Sequence, residues 1–177
     1  NEIVRTALEA KDMPTMLRVL AGRTGALFTA DDCFITLWDV AQRIAIPTVA
    51  YGAMSQTYSS VPAKPGERTL TAAVLEAGHA LAVEDIAKNP YVDPEVAVPF
   101  PRLRSALGLP LVSGEKKMGA VILGFSRRRH FAADEIERGE LAARQISLAM
   151  TKVFLLEESQ KRVRELAGIH TLSQTFT

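Results

Sequence analysis

Cysteine is nearly absent: Cys33 stands alone among 177 residues, so no disulfide can close within the chain. That scarcity fits a reducing compartment such as the cytoplasm. Charge of one sign is equally scarce. Lys and Arg total 21 against 20 Asp and Glu, a formal net charge of +1. Such a balance supplies neither the basic field that draws nucleic acid nor a polyacidic tail. No apolar run approaches the roughly 20 residues that cross a bilayer, so direct membrane contact is not expected. The histidines, His79, His130 and His170, fall on unrelated segments without metal-ligand spacing. No nucleophile–base pair stands out, and the reading assigns neither a catalytic residue nor a metal.

What is present is ordinary globular material, 47% hydrophobic and 23% charged, enough for one domain with extensions. The chain opens on Asn and carries no signal-peptide pattern, so it is expected to be a piece of something longer. Residues 1–11 read as the tail of an upstream linker helix, with Ile3, Val4, Ala7 and Leu8 at helical spacing. Asp12 is a candidate N-cap, and Pro14 sits where a first turn tolerates proline. Met13, Leu17, Leu20 and Ala21 stripe the helix that follows, which Gly22 to Gly25 are expected to loosen.

Cys33–Val40 alternates as a strand, with Cys33, Ile35 and Leu37 on one face and Phe34, Thr36 and Trp38 on the other. Ile44–Tyr51 is a second strand, and Pro47 within it requires an edge or a bulge. Ser55–Arg68 reads as loop, Thr69–Ala77 as a short helix stopped by Gly78, and Ala80–Glu84 as a short strand. Asp85–Pro101 holds Pro90, Pro94, Pro99 and Pro101, and reads as a long irregular lid with one helical turn near Glu95–Val98. Two apolar runs, Leu107–Val112 and Met118–Phe125, flank the glycine-bearing turn Ser113–Lys117, a hairpin signal. From Asp134 helical character continues to about Gln174, roughly 60 Å at 1.5 Å per residue. Leu141, Leu148 and Leu155 recur at seven, as do Leu156 and Val163, and Leu166, Ile169, Leu172 and Phe176 extend an imperfect stripe. With its dense charge, the segment from 156 to 177 reads as a coiled-coil-like stalk that pairs two copies. These residues by themselves specify an α+β domain with a long lid.

The order of these pieces resembles the GAF domain, the sensor module of phytochromes, cyclic-nucleotide phosphodiesterases and bacterial sensor kinases. The matching residues are Asp12–Leu17 running into Cys33–Asp39, then Ser105–Leu111, Gly114, Gly119–Leu123 and Phe131–Glu135, within about 12–155. The resemblance implies a central antiparallel sheet with N- and C-terminal helices on one face. On the other face it implies a small-ligand pocket, roofed by the lid. Family members with a covalent bilin carry a thiol on the helix or loops at the pocket. No cysteine stands there, so no covalent chromophore is expected and the cofactor is unknown. The cyclic-nucleotide signature is only echoed by Phe131 and Asp134-Glu135, since its Asn-Lys element is missing. Relatives that reduce methionine sulfoxide use several cysteines, and this chain has no resolving partner for its one.

Candidate contacts cluster around the lid. Arg102 and Arg104 could clamp a carboxylate or phosphate, or could be exposed arginines at a strand end. Asp85, Tyr91, Phe100 and Ser105 would be further lid and rim contacts, or would pack on their own loop. Cys33, among apolar neighbours, reads as a small buried hydrophobe. Arg127-Arg128-Arg129-His130 reads as a solvated loop ahead of an anion-binding patch. The expected role is a regulatory, small-ligand-sensing module of a multidomain bacterial signalling protein, a sensor histidine kinase foremost. The alternatives are a ligand-free dimerisation spacer, the regulatory domain of a cyclic-dinucleotide enzyme, or a methionine sulfoxide reductase-like enzyme.

Overall fold

A computed structural model describes the backbone of residues 12–176 and the side chains of residues 12–168. The expected upstream helix tail at residues 1–11 lies outside that range, as do the side chains of Ile169, His170, Leu172 and Phe176.

Helix α1 (Met13–Leu27) starts where its cap residue places it: the Asp12 carboxylate accepts from the Thr15 N–H at 2.8 Å. The helix does not loosen at Gly22 but runs through both glycines to Leu27. The reason is close packing. A Cβ on Gly25 would stand 2.5 Å from the Tyr51 ring, so glycine there lets the helix approach the sheet.

Strands β1 (Asp32–Asp39) and β2 (Ile44–Tyr51) form an antiparallel pair, with β2 at the sheet edge. Their register slips between Ile35 and Thr36, opposite Val49 and Pro47. Pro47 thus meets both of its requirements, edge and bulge. A 3₁₀ turn at Tyr58–Ser60 leads to helix α2 (Leu70–Ala77), capped by the Thr69 hydroxyl and closed by Gly78 at φ +75°. Short strand β3 (Leu81–Val83) and a single helical turn, α3 (Pro94–Ala97), precede the hairpin.

In that hairpin β4 (Ser105–Ser113) returns as β5 (Lys116–Phe125) through Gly114-Glu115 alone. Gly114 has φ +59° while Glu115 stays at negative φ, the type II′ pattern whose twist suits a two-residue connection. All five strands pair antiparallel in the order β2-β1-β5-β4-β3.

Helix α4 (Ala133–Phe176) opens with Asp134 and Glu135 at its positive end and runs 44 residues. With α1 it covers one face of the sheet, where Met16, Leu17, Leu20, Ile35, Leu107, Leu109, Leu111, Val121, Leu123 and Ile146 make the main core. The architecture is the α+β one that the resemblance implied. Among the described residues none of α4 is buried beyond Val153, and an apolar stripe along the helix, from Leu141 at 49% to Leu166 at 67% exposed, is uncovered in the single chain.

Candidate ligand pocket

The opposite face of the sheet is built differently. Because side chains alternate along a strand, β4 sends Leu107, Leu109 and Leu111 to the helices and Ala106 and Gly108 the other way. Helix α2 sits on that side, so close that a Cβ on Gly108 would lie 2.8 Å from Leu70 Cγ. Beside α2 the small side chains leave a cavity of about 270 Å³. Phe34, Thr36, Ala45, Pro47, Ala106 and Ile122 form its floor, drawn from four strands.

Two segments close over this floor. The first, residues 61–69, crosses from the 3₁₀ turn to α2; the second, residues 86–103, contains α3. Asn89 organises the second: its side-chain amide donates to the Ile86 carbonyl at 2.6 Å, and its oxygen accepts from the Tyr91 and Val92 N–H groups. A latch joins the two. Arg68 Nε donates to Asp93 Oδ1 at 2.7 Å, the Arg68 N–H donates to Oδ2 at 3.0 Å, and the Asp93 N–H returns a bond to the Arg68 carbonyl at 2.9 Å. These bonds from Arg68 hold the Asp93 carboxyl below its ordinary pKa.

Three rings pack at one end of the cavity. Phe34 lies 4.8 Å from Tyr58 and 5.3 Å, edge-on, from Phe100. The Tyr58 hydroxyl is hydrogen-bonded to Thr36 Oγ1 at 2.6 Å, and burial pushes its pKa up to about 12. Charge is thin here: of the lining residues only Lys64, Glu67 and Glu95 carry one, and the Lys64 N–H donates to the Glu67 carboxylate.

A family model described as GAF domain matches residues 10–151. The chain belongs to the GAF domain family. Solved structures agree in fold. The GAF domain of a phosphoenolpyruvate-protein phosphotransferase from Coxiella burnetii superposes with TM-score 0.74 at 17% identity, covering 89% of this chain and 95% of that one. A free methionine-R-sulfoxide reductase from Neisseria meningitidis, solved with its substrate, gives 0.73 at 15% identity over 88% and 87%. A domain assigned to a two-component sensor histidine kinase of Sinorhizobium meliloti gives 0.65 at 16% identity over 86% and 99%. At these identities the likeness is one of fold. No curated protein matches the chain.

Of the six pocket contacts expected from the sequence, the GAF cavity takes in one, Phe100. Tyr91 packs partly buried behind α2 and lines a neighbouring cleft with Trp38 and Arg43. Asp85 accepts from the Ala87 N–H at 3.1 Å and faces Arg128 at 3.7 Å. Arg104 turns back on its own loop and donates to the Pro101 carbonyl at 2.8 Å, and Arg102 is exposed near Asp32. Ser105 is buried toward the helices, where its hydroxyl donates to the Arg127 carbonyl at 2.7 Å. Five of the six therefore lie outside the cavity lining, and of these Asp85, Arg104 and Ser105 bond to loop backbone instead.

Reading the sequence missed Thr36, Tyr58, Thr71, Ile122 and the 61–69 segment. The alternation of β1 already put Phe34 and Thr36 on one face; nothing local announced that Tyr58 would reach them. Thr71 is buried against the cavity with no side-chain hydrogen bond among the described residues.

Three of the four residues of the basic loop are paired with acids of the GAF fold; Arg128 faces Asp85 at 3.7 Å. Arg129 pairs with both Glu135 oxygens at 2.6 and 2.7 Å while its guanidinium lies 4.5 and 4.7 Å from the Phe125 and Phe131 rings. His130 meets Glu84 at 2.7 Å. Cys33 is fully buried on the helix side, and desolvation pushes its thiol up to about 12. Among the described residues no group of three or more His, Cys, Asp or Glu is placed to hold a metal, and no helix is long and apolar enough to cross a membrane.

Proposed function

We propose that this GAF domain is the regulatory, small-ligand-sensing module of a multidomain bacterial signalling protein, foremost a cytoplasmic sensor histidine kinase. The observation that carries the reading is the cavity itself, about 270 Å³ between the sheet floor and a latched lid. Occupancy biases the lid and floor, and α4, seated on the reverse of β4 and β5, carries the bias onward. Such a relay requires two arrangements close in energy that the ligand binds unequally. The uncovered stripe from Leu141 to Leu166 suits pairing of two copies through α4.

The module acts without chemistry of its own in this reading. A thiol reaction of the reductase kind has poor support, because Cys33 lies across the sheet from the cavity and is held protonated. The test is native mass spectrometry of protein isolated from its source cells, beside an Ala106→Leu variant that fills the cavity floor. A bound mass that the variant loses supports sensing. Empty protein, with variant and parent equal in output, favours the spacer reading.

A further inference from the structure

The lining of the cavity carries an inference about what enters it, resting on the reading of that cavity as a ligand site. We propose that the ligand is an uncharged, mostly apolar ring compound with a single hydroxyl or carbonyl group, recognised by the Thr36–Tyr58 hydroxyl pair.

Charge excludes the polyanions. The lining has no arginine, and its one cation, Lys64, is exposed and opposed by Glu67 and Glu95. A phosphate or carboxylate entering there would shed water and meet a net negative wall. The two arginines that could have countered this, Arg102 and Arg104, lie outside the lining. Apart from the hydroxyls of Thr36, Tyr58, Thr69 and Thr71, the remaining surface is aliphatic and aromatic, with the Phe34, Tyr58 and Phe100 rings at one end, which suits a ring compound.

Beside the rings the polar groups are one hydroxyl pair, and Thr71 adds a further hydroxyl from α2. Thr36 is 2% and Tyr58 5% exposed, both line the cavity, and their oxygens are 2.6 Å apart. Two hydroxyls bonded to each other use one proton between them. Whichever donates, the pair keeps one O–H donor and spare lone pairs. That combination matches a neutral hydroxyl or carbonyl, and it brings no positive charge to offset the desolvation of an anion. The raised Tyr58 pKa keeps the donor present at ordinary pH.

The test uses isothermal titration with three matched probes: 2-naphthol, naphthalene and naphthalene-2-sulfonate, with cyclic AMP as a further anion. The wild-type domain is expected to bind 2-naphthol best and the two anions weakest. The double variant Thr36→Val, Tyr58→Phe removes both hydroxyls together and so leaves neither one buried without a partner. It is expected to weaken 2-naphthol roughly tenfold, to the level of naphthalene, with naphthalene binding unchanged. A merely structural role would weaken both probes alike and would overturn the assignment of the pair.

Sulfonate or cyclic AMP binding tighter than 2-naphthol, and lost in Ala106→Leu, would overturn the ligand class while leaving the sensing role standing. Failure of every probe to bind would also overturn the class. The sensing role falls only if, in addition, protein from source cells carries no bound mass.

Discussion

The two faces of one sheet are filled by alternate residues of the same strands, and they end in opposite states. Toward α1 and α4, Leu107, Leu109, Leu111, Ile35, Val121 and Leu123 interdigitate with Met16, Leu17, Leu20 and Ile146 at almost complete burial. On the other face α2 packs down onto Gly108 and Ala120, while toward the lid Thr36 and Ala106 are too small to fill the same depth, and a cavity remains. The difference is one of side-chain volume at fixed backbone. A strand that packs a core on one side leaves room on the other where the alternate residues are small, as Thr36 and Ala106 are beside the larger Phe34 and Ile122.

Truncation on each side gives the largest contrast. Leu109→Ala removes a fully buried side chain from the closed face and is expected to destabilise by about 3 kcal/mol, since that face cannot collapse onto the void. Ile122→Ala, on a floor residue that already borders empty space, is expected to cost about half as much. Denaturant unfolding of both variants measures the gap; equal losses would show that the two faces are packed alike.

Alkaline pH probes the faces separately, because each buries one weak acid. Burial moves the Cys33 thiol from 9.0 to about 12 and the Tyr58 phenol from 10.0 to about 12. Above pH 9 the unfolded chain holds fewer protons than the folded one, so stability falls as pH rises. The contribution is whole below the unfolded values and gone above the folded ones. Each group is expected to contribute a slope of up to about 1.4 kcal/mol per pH unit while only its unfolded form ionises. Cys33→Ala is expected to flatten the decline from pH 9, and Tyr58→Phe only from pH 10. Unfolding series across this range decide it, and a decline unchanged in Cys33→Ala would mean the thiol is not held protonated.

Filling the cavity should have a smaller effect of opposite sign. Ala106→Leu adds apolar volume where space exists, and is expected to leave stability unchanged or raise it by up to about 1 kcal/mol. A thermal melt measures this; a marked loss would mean that the floor has no room. The latch carries the smallest expected change in global stability. Asp93→Asn removes an exposed charge pair, worth less than about 1 kcal/mol, yet should speed hydrogen exchange across residues 86–100 and leave β4 protected. Uniform exchange in variant and parent would show that the lid closes without it.

Much of this was legible in the sequence because it is local. Asp12 and Thr69 announce helix starts, Gly78 an end, and Gly114 a turn, read as Ser113–Lys117 and tightened in the structure to Gly114-Glu115; each acts within four residues of itself. The alternation of β1 separated Cys33 and Ile35 from Phe34 and Thr36 correctly. The candidate site was less legible. Arg102, Arg104 and Ser105 sit next to the lid in sequence, and proximity along the chain made them pocket candidates. Position along a strand decides otherwise: Ser105 shares the parity of Leu107 and so faces the helices, while Arg104 is spent on its own loop.

Periodicity and turn chemistry by themselves determined the elements, the order in which they appear and the face each strand residue takes. They did so because backbone preference and side-chain alternation act over a few residues. Only the tertiary structure decided that Tyr58 reaches across 22 residues to Thr36, that Arg68 holds Asp93, and that Asp85, Glu135 and Glu84 pair with Arg128, Arg129 and His130. Those pairings depend on which segments fold over which face, and no local pattern encodes the distance between them.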